Sequence, residues 1–286
     1  MTLNIAALAA AAVETGADHT QVKKGGGDGE YTPPAAGACN LRFISYIEVG
    51  KQNDTYQGQP KVTDMVILGF ELSGAKYPAK ELDDGTKIPV RMDIELNRSM
   101  NEKATFAKLF QRMNYKGTAR HFAELLGQSF KGVVKHTPSK KDPNKVFADL
   151  DVNSIQAPRF EVVNPETGEA TGEIKEIVVA PAITPLKLFI WALADKAQWD
   201  SIYIAGEYPE RKDKDGTVIA QARSKNRFQE RIRSALNFPV SPIATLLLGG
   251  DANLPTMAET QAAEPAPAPA PAAAPATAED ALNGIV

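Results

Sequence analysis

Residues 40–73 alternate cationic and aromatic side chains: Arg42, Tyr46, Lys51, Tyr56 and Lys61. Such a ribbon can stack bases on its tyrosine rings and neutralise phosphates with its cations. A base stacked on an aromatic ring gains roughly 1–3 kcal/mol whatever its identity. Each phosphate contact steepens the salt dependence of binding. Arg91 lies on a later strand-like run, and Lys135, Lys140, Lys141 and Lys145 crowd the stretch KHTPSKKDPNK at 135–145. These ten residues form the candidate DNA-binding set, the 135–145 segment being the expected wall opposite the ribbon. A second basic patch, Arg211–Arg233, holds eight Lys/Arg against three acids.

Carboxylates offer a competing chemistry. Asp93 with Glu95, and Asp149 with Asp151, project in pairs from strand faces. Such pairs on neighbouring strands can hold Mg²⁺ for phosphodiester cleavage. No His or Lys is spaced as their partner, and His19, His121 and His136 are scattered. GGGDGE lacks the Gly-Lys-Ser/Thr ending of a phosphate-binding loop. A single cysteine, Cys39, excludes an internal disulfide and any multi-cysteine zinc site. The expectation is a binding protein, not an enzyme, with no cofactor and no metal. A Mg-dependent nuclease or a virion or scaffolding protein are the alternatives.

Elements that would position the cations follow from periodicity. Leu41–Val49 alternates, with Leu41, Phe43, Ser45, Ile47 and Val49 on one face and Arg42, Ile44, Tyr46 and Glu48 on the other. Tyr46 therefore points outward in this reading. A loop at 50–63 leads to Met65–Leu72, whose Val66, Leu68, Phe70 and Leu72 share the core face. Ile88–Leu96 alternates again, with Arg91, Asp93 and Glu95 outward. Then the period changes. Ser99 and Glu102 have capping-box spacing, and Phe106, Leu109, Phe110 and Met113 recur at helical spacing. A short helix is expected at Ala119–Leu126, and strands at Phe130–His136 and Val146–Val152. Three strands, helical material and two strands is the order of an OB-fold, a five-stranded Greek-key barrel. The fold class is α+β, mainly β: an OB-fold-like barrel with inserted helices.

Four regions follow: a flexible lead-in at 1–37, the barrel domain at 38–155, a connection with a helical and basic extension at 156–250, and a disordered Pro/Ala-rich acidic tail at 251–286. Within the extension, Thr184–Trp199 reads as an amphipathic helix through Leu186, Phe189, Ile190 and Leu193, and Ser201–Ile204 as a strand. The formal net charge of -3 argues against a polyanion partner. Yet residues 251–286 carry five acids and no Lys or Arg, leaving the preceding 250 residues at +2. No apolar run approaches the roughly 20 residues of a spanning helix, and the start MTLNIAALAAAAVE lacks a basic n-region. A cytoplasmic protein with no membrane partner is expected.

The runs PPAAGACNLRFISYIEVGKQ, VILGFEL, NRSMNEKATFAKLF and ELLGQSFKGVVKH resemble the OB-fold single-stranded DNA-binding proteins of bacteriophages over about residues 33–155. That resemblance implies sequence-tolerant single-stranded DNA binding in phage DNA replication or recombination, in the host cytoplasm. It also implies that a tail tipped Glu279-Asp-Ala-Leu-Asn-Gly-Ile-Val286 recruits replication or recombination proteins. Because a polyanionic tail competes with DNA for a basic groove, deleting residues 251–286 is expected to leave or raise affinity for single-stranded DNA. A large loss on truncation, measured by fluorescence anisotropy, contradicts this.

Overall fold

The computed structural model describes residues 32–139, 146–212 and 215–248. The chain is built around a mostly antiparallel sheet comprising β1 (Gly37–Tyr56), β2 (Gln59–Ser73), β3 (Val90–Asn97), β4 (Ser129–Pro138) and β5 (Val146–Leu150) in the order β3-β2-β1-β4-β5. β1 and β2 form one long hairpin. Its two-residue turn, Gln57 and Gly58, has positive φ at both positions (51° and 78°), as a turn matching strand twist requires. The loop expected at 50–63 is therefore ladder. The edge strands β3 and β5 approach within 8 Å, Cα to Cα, but no hydrogen bonds join them among the described residues. The sheet curls without closing.

Inside the curl lies the first core. Val66, Leu68, Phe70 and Leu72 of β2 and Phe130 and Val134 of β4 meet Phe106, Leu109 and Met113 of α1 (Thr105–Met113), with Phe122 and Leu125 of a 3-10 turn (Phe122–Leu125). Val90, Met92, Ile94 and Leu96 pack against it, as their alternation requires. The capping box is not where Ser99 and Glu102 place it. α1 starts later, after Ala104, and Ser99 instead accepts from the Asn101 amide at 3.3 Å in a turn. His121 and Glu124 form the box, and only one turn of the expected 119–126 helix is present.

One extra residue changes the strand parity. Phe43 pairs with Phe70 and Ser45 with Gly69, so Ile44 is a bulge. Beyond it the alternation reverses: Tyr46 enters the first core, while Ile47 and Val49 face away. They build a second core on the outer side of the sheet with Ile67, Phe189, Trp191, Trp199, Phe228, Ile232 and Ile243. The strands' outer face is thus covered by the C-terminal third. Ahead of that cover the chain forms the hairpin β6 (Arg159–Val163) and β7 (Ala170–Glu176), within the segment expected to be a bare connection. It continues through β8 (Lys187–Phe189), α2 (Lys196–Ser201), α3 (Arg227–Arg233) and α4 (Pro242–Leu247). The long helix expected at 184–199 and the strand at 201–204 are absent. β4 pairs with β1 only as far as Arg42, leaving the next edge of β1 open, and β8 fills it in parallel at Ser45–Ile47. Satisfying those backbone groups outweighs a helical apolar spacing. The acidic tail and the 1–31 part of the lead-in lie outside the described residues.

Buried charges clasp the layers together. Glu71, 5% exposed, accepts from the Ile183 amide at 2.9 Å and the Thr184 amide at 2.8 Å. Glu48 accepts from the Trp191 amide at 2.8 Å and the Tyr46 hydroxyl at 2.9 Å. Each carboxylate supplies acceptors to a segment with little secondary structure of its own, which is the condition for tolerating a buried charge. Glu71→Ala orphans two amides and is expected to cost about 1–3 kcal/mol. Urea unfolding measures the loss, and hydrogen exchange should show it concentrated at 183–184.

Candidate nucleic-acid interface

The bulge and the C-terminal cover redistribute the expected site. Arg42 is a clasp: its guanidinium donates to the carbonyls of Gly127 (2.9 Å), Ala180 (2.8 Å) and Val179. Tyr46 is 0% exposed and packs on Phe122 and His121, its ring centroids 6.1 and 5.0 Å from theirs. Burial, then the Glu48 carboxylate, pushes its hydroxyl far above the usual tyrosine range. Swinging this ring out to stack a base forfeits about 2–3 kcal/mol of burial and a hydrogen bond to a charged group worth about 1.5–3. Stacking returns roughly 1–3, so Tyr46 stays in.

Lys51 is exposed beside Asn237, which accepts from its backbone amide at 2.8 Å. Lys61 is exposed on β2 opposite Asp54. Tyr56 ends β1, and its side chain lies outside the described residues, as do Lys140, Lys141 and Lys145. Lys135 is ion-paired to Asp151, and this bond holds the Asp151 carboxyl below its usual range. The ribbon and the described part of the 135–145 hairpin do not converge on one groove. Neither do the carboxylates: Asp93 pairs with Arg227 and Glu95 with Arg231 at 2.6 Å. Among the described residues no three His, Cys, Asp or Glu side chains are grouped to hold a metal ion.

Of the described candidates, Arg91 alone opens onto a large cleft, of about 1070 Å³, between the outer face of the sheet and the C-terminal third. Four strands set its floor. Asp93 of β3 pairs with Gly69 of β2, Gly69 with Ser45 of β1, and Ser45 with Lys187 of β8. This row stays shallow because position 69 has no room for a side chain: a Cβ there would sit 2.1 Å from Ser45 Oγ. Glycine inside a strand marks such a close approach. The opposite wall carries Tyr203, 54% exposed, and Tyr208, 48% exposed, with Arg223, Lys225 and Arg227. Arg223 and Lys225 lie over the Tyr208 ring at 5.1 and 5.4 Å from its centroid.

Five cations (Arg91, Lys187, Arg223, Lys225, Arg227) thus face two acids, Asp93 and Glu230. The imbalance registers on Lys187, whose ammonium donates to Ser201 O at 2.6 Å. Burial, then Arg91 and Arg227, lowers its pKa. Asp93 is shifted up by burial, an effect that Arg227 opposes. The basic patch 211–233 was visible in sequence, but Lys187 and the two tyrosines were missed. The tyrosines' signal was their place shortly before the run ARSKNR at 222–227, and Lys187 was obscured by the helix expected at 184–199.

No protein-family model, curated protein or solved structure matches this chain. Among the described residues no helix is long and apolar enough to cross a membrane. Function must be read from the cleft.

Asp93 opposes anion binding when charged, so if the cleft holds a polyanion such as oligo-dT, Asp93→Asn is expected to tighten that binding and steepen its salt slope by about one. The sign for pH follows. Falling pH protonates a carboxyl whose pKa is raised, so wild-type affinity should climb as pH drops. An Asp93→Asn protein that shows the same climb excludes Asp93 as its source.

Proposed function

We propose that this chain binds single-stranded DNA without sequence preference, in phage DNA replication or recombination, by phosphate capture and base stacking. The observation that carries this reading is the cleft: five cations and two exposed tyrosines around a floor that includes Ser45. Phosphates would lie along Arg91, Lys187 and Arg227, and bases on Tyr203 and Tyr208. Every base presents a π-face, so stacking of this kind tolerates any sequence. No proton is transferred and no bond is made or broken.

The strand order supports reading the sheet as an open relative of the OB-barrel, with the C-terminal third forming one wall of the groove. The mixture of cation–π contacts around Tyr208 would hold its ring at a fixed attitude. A duplex presents its bases edge-on within grooves and offers no free face to such a ring.

Fluorescent oligo-dT titrated at several salt concentrations, with duplex competitor, tests the proposal. Log affinity should fall linearly with log salt. Lys225→Ala should lower that slope by about one, whereas Tyr203→Ala should cost about 1–3 kcal/mol at unchanged slope. Binding indifferent to salt, or a preference for duplex, sinks the proposal. Mg²⁺-dependent cleavage of the oligonucleotide would instead favour a nuclease.

A further inference from the structure

On the other side of the sheet, at the mouth of the first core, lies a separate pocket of about 140 Å³. Phe106, Phe110, Phe122 and Tyr46 form its apolar walls, with Phe110 and Phe122 edge-on at 5.1 Å between centroids. Its rim is of a different character. Arg98 is held at 3.4 Å from the buried Glu48 carboxylate, which itself is braced by Tyr46 and the Trp191 amide. Arg120 is exposed, and its guanidinium has no partner among the described residues.

His121 adds a directional donor. Its Nδ1 accepts from the Ala123 amide at 3.1 Å, so the neutral ring carries its proton on Nε2. The nearby Glu124 carboxylate is engaged by the Arg120 and His121 amides at 3.1 and 3.0 Å. Met100, 69% exposed, overhangs the opening with a thioether suited to an aromatic face.

From this arrangement we infer that the pocket binds one nucleotide, its base between the aromatic walls and Met100 and its phosphate monoester on Arg98 and Arg120. The size decides against larger occupants. Drug-sized sites measure roughly 300–1,000 Å³, and this one admits a single flat ring system. Two guanidiniums on one rim supply the charge that a phosphate monoester needs. Such a group is carried both by a free nucleotide and by the phosphorylated end of a strand. The pocket goes beyond the cleft reading and does not depend on it, since the sheet separates the two.

The test uses the full chain carrying [¹³C-methyl]methionine, followed by NMR. Titration with dAMP should move the Met100 methyl resonance saturably, while inorganic phosphate leaves it in place and deoxyadenosine acts at least tenfold more weakly. Arg120→Ala should weaken dAMP at least tenfold and Arg120→Glu abolish its effect, with Trp191 and Trp199 fluorescence unchanged as the check on folding. Arg91→Ala and Lys187→Ala in the cleft should leave the response intact, so failure of one site is distinguishable from failure of the other. A 5′-phosphorylated oligo-dT that reproduces the shift, where its 5′-hydroxyl counterpart does not, assigns strand ends as the source; a shift with dAMP alone assigns the free nucleotide. A Met100 resonance that ignores dAMP, responds equally to phosphate, or persists unchanged in Arg120→Glu overturns the inference.

Discussion

Strand β1 holds one residue more than its partner between Phe43 and Ser45, and the two layers of the molecule depend on where that residue sits. Side chains alternate with a period of two, so an inserted residue exchanges the faces of everything beyond it. Before the bulge, Leu41 and Phe43 fill the first core; after it, Tyr46 does, while Ile47 and Val49 turn outward. Without that exchange β1 would present a tyrosine and a glutamate to the outer face in place of Ile47 and Val49, and the C-terminal third would lose much of the apolar surface it packs on. Val49, two residues beyond Ile47, shares the outer core, and a second irregularity lies between Glu48 and Gly50. One strand thereby serves two cores.

Charged side chains complete what the apolar contacts begin. The segment 177–191 lies over the sheet with few backbone partners of its own, and Arg42, Glu48 and Glu71 supply them. A buried charge without partners is costly, whereas one saturated by backbone groups locks a single arrangement. This explains why Arg42 is no phosphate ligand: its donors already meet three carbonyls. It also explains how a cleft arises. The clasps hold the cover at its edges, and between them the small side chain of Ser45, seated over Gly69, leaves the floor recessed.

Electrostatics in that recess run opposite to the net charge. A chain of formal charge -3 concentrates five cations around one cleft, where their fields add. Asp93 and Glu95 have a structural part in this, anchoring α3 to β3 through Arg227 and Arg231. The same ion pairs moderate the cleft's positive potential, so affinity and cohesion are balanced on a few side chains.

Much of the fold was legible in local pattern. The period-two runs announced β1 through β5, and the spacing of Phe106, Leu109 and Met113 announced α1, because both signals are carried by neighbours in sequence. Parity beyond Ile44 was not legible, since a bulge is defined only against the partner strand. The stretch Leu186–Leu193 had helical spacing but became β8, because β1 presented an open edge that no local window contains. For the site, the basic run at 211–233 was visible, and Arg91 was placed correctly on an outer face. The sequence by itself determined the strands, their apolar faces and a supply of cations near the C-terminal third. Only tertiary structure decided which cations meet. Arg91, Lys187 and Arg227 come from segments far apart in the chain, and what unites them is the cross-strand row from Asp93 to Lys187. Such a juxtaposition is set by hydrogen-bond register between strands, a property of pairs that no single stretch of residues encodes.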